Sequence, residues 1–278
     1  MKTSVFKSEA GRDKIRACYS EVLSRFPFGQ QYVETGLGKT FILTAGQAEN
    51  PPVLLLHGSC SNSAFWFLEL MALSDRFRVY AVDIIGEAGN SEEYRPGLDS
   101  DAFALWMADV LAALELKQAA LIGNSLGGWM ALKFATAFPE SISKLCLIAS
   151  AGLAQIRPQF LQNVGEAQRE GETAPVNSDT IGENGIPQEV LDFMNLIVQN
   201  YNPIQELPLF SDGELRRLQM PVLFIGGEDD VIIDAQSSAQ RLARLVPSAE
   251  IRLLPACGHV GTGLAEYILL FLTKTDLM

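Results

Sequence analysis

Along the chain, short continuous apolar runs alternate with stretches of helical periodicity. The runs are Val53 to Leu56, Phe77 to Val82, Ala119 to Ile122, Leu145 to Ala149, Val222 to Ile225 and Ile251 to Leu254. Helical patterns lie between them, around Phe65 to Leu73, Ala102 to Leu114, Leu126 to Phe138 and Ala235 to Val246. Strands apolar on both faces and separated by helices predict a mostly parallel sheet covered on both sides, an α/β doubly wound architecture. Sheets of this kind bind ligands outside the carboxyl ends of their strands. Upstream, Ile15, Tyr19, Val22, Leu23 and Phe26 form a helical stripe closed by Pro27. Gln31 to Thr35 and Thr40 to Thr44 flank Gly36-Leu37-Gly38-Lys39, which predicts an antiparallel hairpin at the sheet edge.

The rhythm breaks between Ala151 and Asp212, where no buried-strand signal occurs and a Gly/Asn/Pro-rich stretch, Gly171 to Pro187, separates two helical pieces. The second piece, Gln188 to Gln199, puts Val190, Leu191, Met194, Ile197 and Val198 on one stripe. Two readings fit that stripe: a cap over the strand ends, or a core helix at the side of the sheet. We take the cap as the working organisation, with residues 1–150 and 213–278 as the core and 151–212 inserted before the strand at 222–226. Under it Met194 and Ile197, with Trp129 on the helix after Ile122, are candidate substrate-pocket residues.

Composition narrows the class. Of 278 residues, 48% are hydrophobic and 19% charged, which excludes a disordered or coiled-coil chain. The 21 Lys and Arg against 33 Asp and Glu give a net charge of −12, which argues against nucleic acid and anionic membrane surfaces as partners. Oligomeric state is left open. No apolar run approaches the roughly 18 residues of a spanning helix, and Met1 to Lys7 lacks an apolar stretch of signal-peptide length. The cytoplasm is the expected compartment. Cys18, Cys60, Cys146 and Cys257 are scattered and only two histidines accompany them, so neither a metal site nor a cofactor is expected.

Chemistry concentrates at the predicted strand ends. Gly123-Asn124-Ser125-Leu126-Gly127 is a G-x-S-x-G pattern between a buried strand and a helix, where a sharp turn lifts the serine hydroxyl clear of the sheet. Such a hydroxyl needs a base to take its proton. His57 and His259 are the two candidates, and the chain order serine, acid, histidine of this turn type selects His259. His57, directly after a strand, reads as a loop brace. The acid that orients the imidazole is sought after the strand Val222 to Ile225, where Glu228, Asp229, Asp230 and Asp234 stand. The alternative strand end carries Ser150, Ala151 and Gly152, with no carboxylate. For the oxyanion, the backbone N–H groups of Leu126 and of Ser59, in the loop His57 to Ser63, are the candidates.

Five segments together resemble the α/β-hydrolase superfamily over nearly the whole chain: His57-Gly58, Asp83 to Ser91, Gly123 to Gly128, Gly227 to Asp230 and Gly258-His259. More narrowly, the N-terminal helix, Tyr80 to Gly86 and Gly258-His259-Val260 resemble bacterial carboxylesterases of the naproxen-esterase type. The resemblance aligns Asp230 with the family's acid. It implies an α/β-hydrolase fold, a Ser125–Asp230–His259 triad and a serine hydrolase that cleaves small carboxylic esters through an acyl-enzyme without a cofactor. Ser125 disfavours the dehalogenases and epoxide hydrolases, which use a carboxylate nucleophile. Carbon–carbon bond hydrolases share Gly-Asn-Ser-x-Gly-Gly but usually show Gly-Pro-Gly after His-Gly, where this chain has Ser59-Cys60-Ser61. A slow-turnover ligand-binding signalling protein on the same fold is the reading from another class.

Overall fold

The computed structural model describes residues 4–169, 176, 186–204, 206–259 and 263–274. Eight strands form one sheet in the order β1-β2-β4-β3-β5-β6-β7-β8. They are β1 (Gly29–Thr35), β2 (Gly38–Ala45), β3 (Pro52–Leu56), β4 (Arg78–Val82), β5 (Ala119–Asn124), β6 (Ile142–Ile148), β7 (Val222–Gly227) and β8 (Glu250–Leu254). The pairs from β4 through β8 are parallel, whereas β1–β2 and β2–β4 are antiparallel. The expected doubly wound, mostly parallel sheet is met, with the hairpin at its edge. Thr35 pairs with Gly38, leaving Gly36-Leu37 as a two-residue turn, and Gly38 takes φ +113°.

Both faces of the sheet are buried at its centre because β3, β5 and β7 are apolar or glycine along most of their length, with burial patterns that are nearly continuous. In β5, Leu121 joins one core layer and Ile122 the other; Leu54 and Leu55 divide likewise in β3. The first layer is closed by α3 (Ala102–Ala113), α4 (Leu126–Ala137) and α8 (Ala235–Leu245), and the second by α1 (Glu9–Ser24), α2 (Phe67–Leu73) and α9 (Ala265–Thr273). Each fully buried Leu, Ile or Phe contributes roughly 1.5–3 kcal/mol, so this two-sided core fixes the strand ends from which the site is built.

The interval 151–212 contains α5 (Pro158–Arg169), α6 (Gln188–Asn200) and the start of the short helix α7 (Asp212–Leu215). Most of Gly171 to Pro187 lies outside the described residues. Helix α6 is packed onto the core. Phe193 stacks on Phe65 at 5.5 Å and meets Tyr19 of α1 at 6.4 Å, and Ile197 is 0% exposed in the second core layer. The N-terminal segment clasps its end: Phe6 bridges Tyr201, the Lys7 N–H donates to the Asn200 carbonyl at 2.9 Å, and Gly11 leaves room for the Asn200 side chain. The core-helix reading of the stripe describes Ile197, whose side chain is enclosed in the second layer. Trp129 is enclosed as well. Its ring packs against Phe103 and Phe210 within the first layer, and its Nε1–H donates to the Pro208 carbonyl at 2.8 Å. Met194, 8% exposed, is buried but belongs to neither core layer.

Candidate active site

The turn after β5 holds Ser125 at φ 50°, ψ −109°, a left-handed conformation that side chains other than glycine adopt at a cost of about 1–3 kcal/mol. Hydrogen bonds impose it: the Ser125 N–H donates to the Ile148 carbonyl at 2.9 Å, and the Ser125 carbonyl accepts from Trp129 and Ala151, both at 3.1 Å. The flanking glycines make the turn possible. A Cβ at Gly123 would strike the Gly127 and Gly128 backbone, and one at Gly127 would strike the Leu56 and His57 carbonyls. Cys60, Ala149 and Ala256 also take positive φ, in the segments that follow β3, β6 and β8.

The loops after β7 and β8 bring an acid and an imidazole to the serine. Asp230, 2% exposed, accepts from the Ile232 and Ile233 N–H groups on Oδ1 at 2.8 and 2.9 Å. Its Oδ2 lies 2.9 Å from His259 Nδ1, and His259 Nε2 lies 3.0 Å from Ser125 Oγ. A carboxylate can only accept here, so the imidazole proton sits on Nδ1 and Nε2 presents its lone pair to the serine hydroxyl. The other acids of the loop are elsewhere. Glu228 and Asp229 are exposed, and Asp234 caps α8 by accepting from the Ser237 N–H at 2.9 Å. Val260 lies outside the described residues.

The loop His57 to Ser63 runs beside the serine: a Cβ at Gly58 would stand 3.5 Å from the Ser125 Cβ. His57 sits in it as a brace, donating from Nδ1 to the Gly58 carbonyl at 2.7 Å and accepting the Ile84 N–H on Nε2 at 3.0 Å. Burial pushes its pKa down, which keeps it neutral in these roles. Asn62 Nδ2 donates to the Ala88 carbonyl at 3.2 Å, and the Ser63 N–H donates to Asp83 Oδ1 at 2.8 Å. The Tyr19 hydroxyl donates to the same oxygen at 3.0 Å. These bonds fix the loop that carries the Ser59 N–H. The Leu126 N–H opens α4, where the first amides of a helix have no partner within it and point at an approaching anion.

Two supports had roles that the sequence did not reveal. The Arg157 Nε–H donates to the Asp230 carbonyl at 2.7 Å while Ile156 bridges Ile233, so the insertion's first residues stitch down the acid loop. Asp83, directly after β4, unites α1 with the loop beside Ser125. Among the described residues no group of His, Cys, Asp and Glu is arranged to hold a metal ion, and no helix is long and apolar enough to cross a membrane.

Comparison with known proteins agrees with this architecture. The model of an alpha/beta hydrolase family matches residues 53–266. This chain belongs to that family. The Bacillus subtilis protein called uncharacterized carboxylesterase nap is 31% identical to it, over 87% of this chain and 85% of that protein. The B. subtilis carboxylesterase YbfK is 30% identical, over 87% and 86%. The crystal structure of the latter, carboxylesterase CesB (YbfK), superposes with a TM-score of 0.81 at 28% identity, covering 95% of this chain and 99% of that one. The B. subtilis naproxen esterase structure shares the fold, with a TM-score of 0.80 at 24% identity. The hydrolase chain and these relatives thus correspond along nearly their whole length, and the resemblance seen in the motifs holds.

Proposed function

We propose that this α/β hydrolase is a serine carboxylesterase in which Ser125, His259 and Asp230 act as the catalytic triad. The observation that carries the reading is the continuous line Ser125 Oγ, His259, Asp230, with links of 3.0 and 2.9 Å. Ester hydrolysis itself is supported by the carboxylesterase relatives, which match this chain over most of both lengths.

The steps of such a triad are these. Ser125 Oγ attacks the ester carbonyl as its proton passes to His259 Nε2, and the imidazolium that forms is stabilised by Asp230 through Nδ1–H. The Leu126 and Ser59 N–H groups stabilise the oxyanion. Collapse expels the alcohol, which takes the proton from Nε2, and leaves an acyl group on Ser125. Water then attacks with His259 again as base, releasing the acid and restoring the serine. A small-molecule ester is the substrate, and Met194 on α6 is a wall of its acyl pocket.

A panel of p-nitrophenyl esters and vinylogous diketones tests this. Sustained turnover on the esters supports the carboxylesterase. Cleavage confined to the diketones contradicts it in favour of carbon–carbon hydrolysis, and an acyl burst without turnover contradicts it in favour of a ligand-binding protein.

A further inference from the structure

A buried polar cluster that takes no part in the chemistry above lies where α6 meets the core loops. Glu87, in the loop after β4, is fully enclosed and bonds the hydroxyl of Tyr201, the residue directly after α6. Arg95 approaches from the same loop's far end. Its guanidinium lies over the Tyr201 ring at 5.1 Å, its Nε–H donates to the Gly86 carbonyl at 2.7 Å, and its Nη2 faces Glu87 Oε1 at 3.5 Å. Neither of those last two atoms has a hydrogen-bond partner among the described residues. Cys60, one residue past Ser59, is the titratable neighbour from the loop beside Ser125. Burial first and Glu87 second push its thiol up to about 12, so it stays neutral. From the N-terminal segment, Lys7 Nζ donates to the Val198 carbonyl of α6 at 3.1 Å and is the remaining charge nearby.

We propose that Glu87 is a positioning residue: through Tyr201 it latches α6, and with it the pocket wall at Met194, to the loops beside Ser125. Tyr201 directly follows α6, the helix that carries Met194, so a shift at the latch moves the wall. This rests on the esterase reading and on the place given to Met194. Burial raises the Glu87 carboxyl to about 7, opposed by Arg95 and Tyr201. Were α6 to lift and water enter, the carboxyl would return toward the ordinary value of about 4.3. The proton therefore binds the closed latch more tightly than the open one, and by linkage proton loss favours opening. The latch is held by neutral Glu87 and loosens as pH rises through about 7.

The test compares wild type, Glu87→Gln and Tyr201→Phe on p-nitrophenyl acetate and p-nitrophenyl hexanoate. Between about pH 6 and about pH 8, wild-type KM for the hexanoate should rise about fivefold or more, with a much smaller change for the acetate. In Glu87→Gln, neutral at every pH, KM should stay at the low-pH value while kcat keeps the wild-type profile; Tyr201→Phe should show the raised KM throughout. A Glu87→Gln variant that reproduces the wild-type KM profile overturns the proposal. Thermal melts give a readout free of catalysis: the wild-type midpoint should fall relative to Glu87→Gln as pH rises from about 5 to about 7.5, and a constant difference overturns it. A wild type that neither hydrolyses esters nor reacts with a fluorophosphonate defeats the esterase reading instead, and the melts alone then decide the latch.

Discussion

Among the four carboxylates after β7, Asp230 alone is enclosed, bound to two backbone N–H groups and in contact with His259. Asp230→Asn keeps the shape but presents an amide that can donate to Nδ1 and so favours the wrong imidazole tautomer. The same change in a serine protease costs about 10⁴ in kcat, and a loss of at least several hundredfold is expected here in p-nitrophenyl ester kinetics. Asp229→Asn should stay within about threefold, because an exposed carboxylate contributes little to an imidazole it does not touch; a crippled Asp229 variant beside an active Asp230 variant would overturn the assignment. The serine and the histidine were legible because each follows a strand whose apolar run is visible in the chain. Choosing among four acids within seven positions was not possible from the residues themselves, since the distinction lies in which carboxylate folds back onto the Ile232 and Ile233 amides. The pairing of Glu87 with Arg95 and Tyr201 left no trace either, as Glu87 and Tyr201 are 114 positions apart and meet only through tertiary packing.

At the level of elements, the β5–α4 turn tolerates no added atom. Gly127→Ala drives a methyl into the Leu56 and His57 carbonyls, a backbone collision that a side-chain rotation cannot relieve. Overpacking costs about 1–3 kcal/mol where neighbours can adjust, and more is expected here, read as a sharply lowered melt or insoluble protein. Helix α6 divides its stripe between two jobs. Ile197→Ala should cost about 2–5 kcal/mol of stability, lowering the melt and affecting all esters alike, because its side chain belongs to the second core layer. Met194→Ala should instead change the preference among acyl chains, by roughly 1–3 kcal/mol per methylene, with little effect on the acetate ester. If the two variants exchange these phenotypes, the pocket lies on the other side of α6. The periodicity predicted this helix to within one residue, yet period alone could not say whether its apolar face met the strand ends or α1. That choice is made by Phe193 on Phe65 and by the N-terminal segment clasping Asn200 and Tyr201, contacts between parts of the chain far apart in sequence.

For the molecule as a whole, the net charge of −12 gives a long-range field that repels approaching anions at low salt. An ester bearing a free carboxylate should therefore gain in kcat/KM as salt is raised, since the Debye length shortens from about 30 Å at 0.01 M to about 8 Å at 0.15 M. A neutral ester should be insensitive, and equal salt responses for both would remove the electrostatic argument. The central claim is that Ser125, on which the strained turn and the two loops converge, is the nucleophile. Intact-mass and peptide mass spectrometry after reaction with a fluorophosphonate test it most directly. One adduct per chain, located on Ser125, is expected in the wild type; Ser125→Ala should take up none and hydrolyse no p-nitrophenyl ester while melting within a few degrees of wild type. An adduct on another serine, or ester hydrolysis that survives in a folded Ser125→Ala protein, would contradict the account.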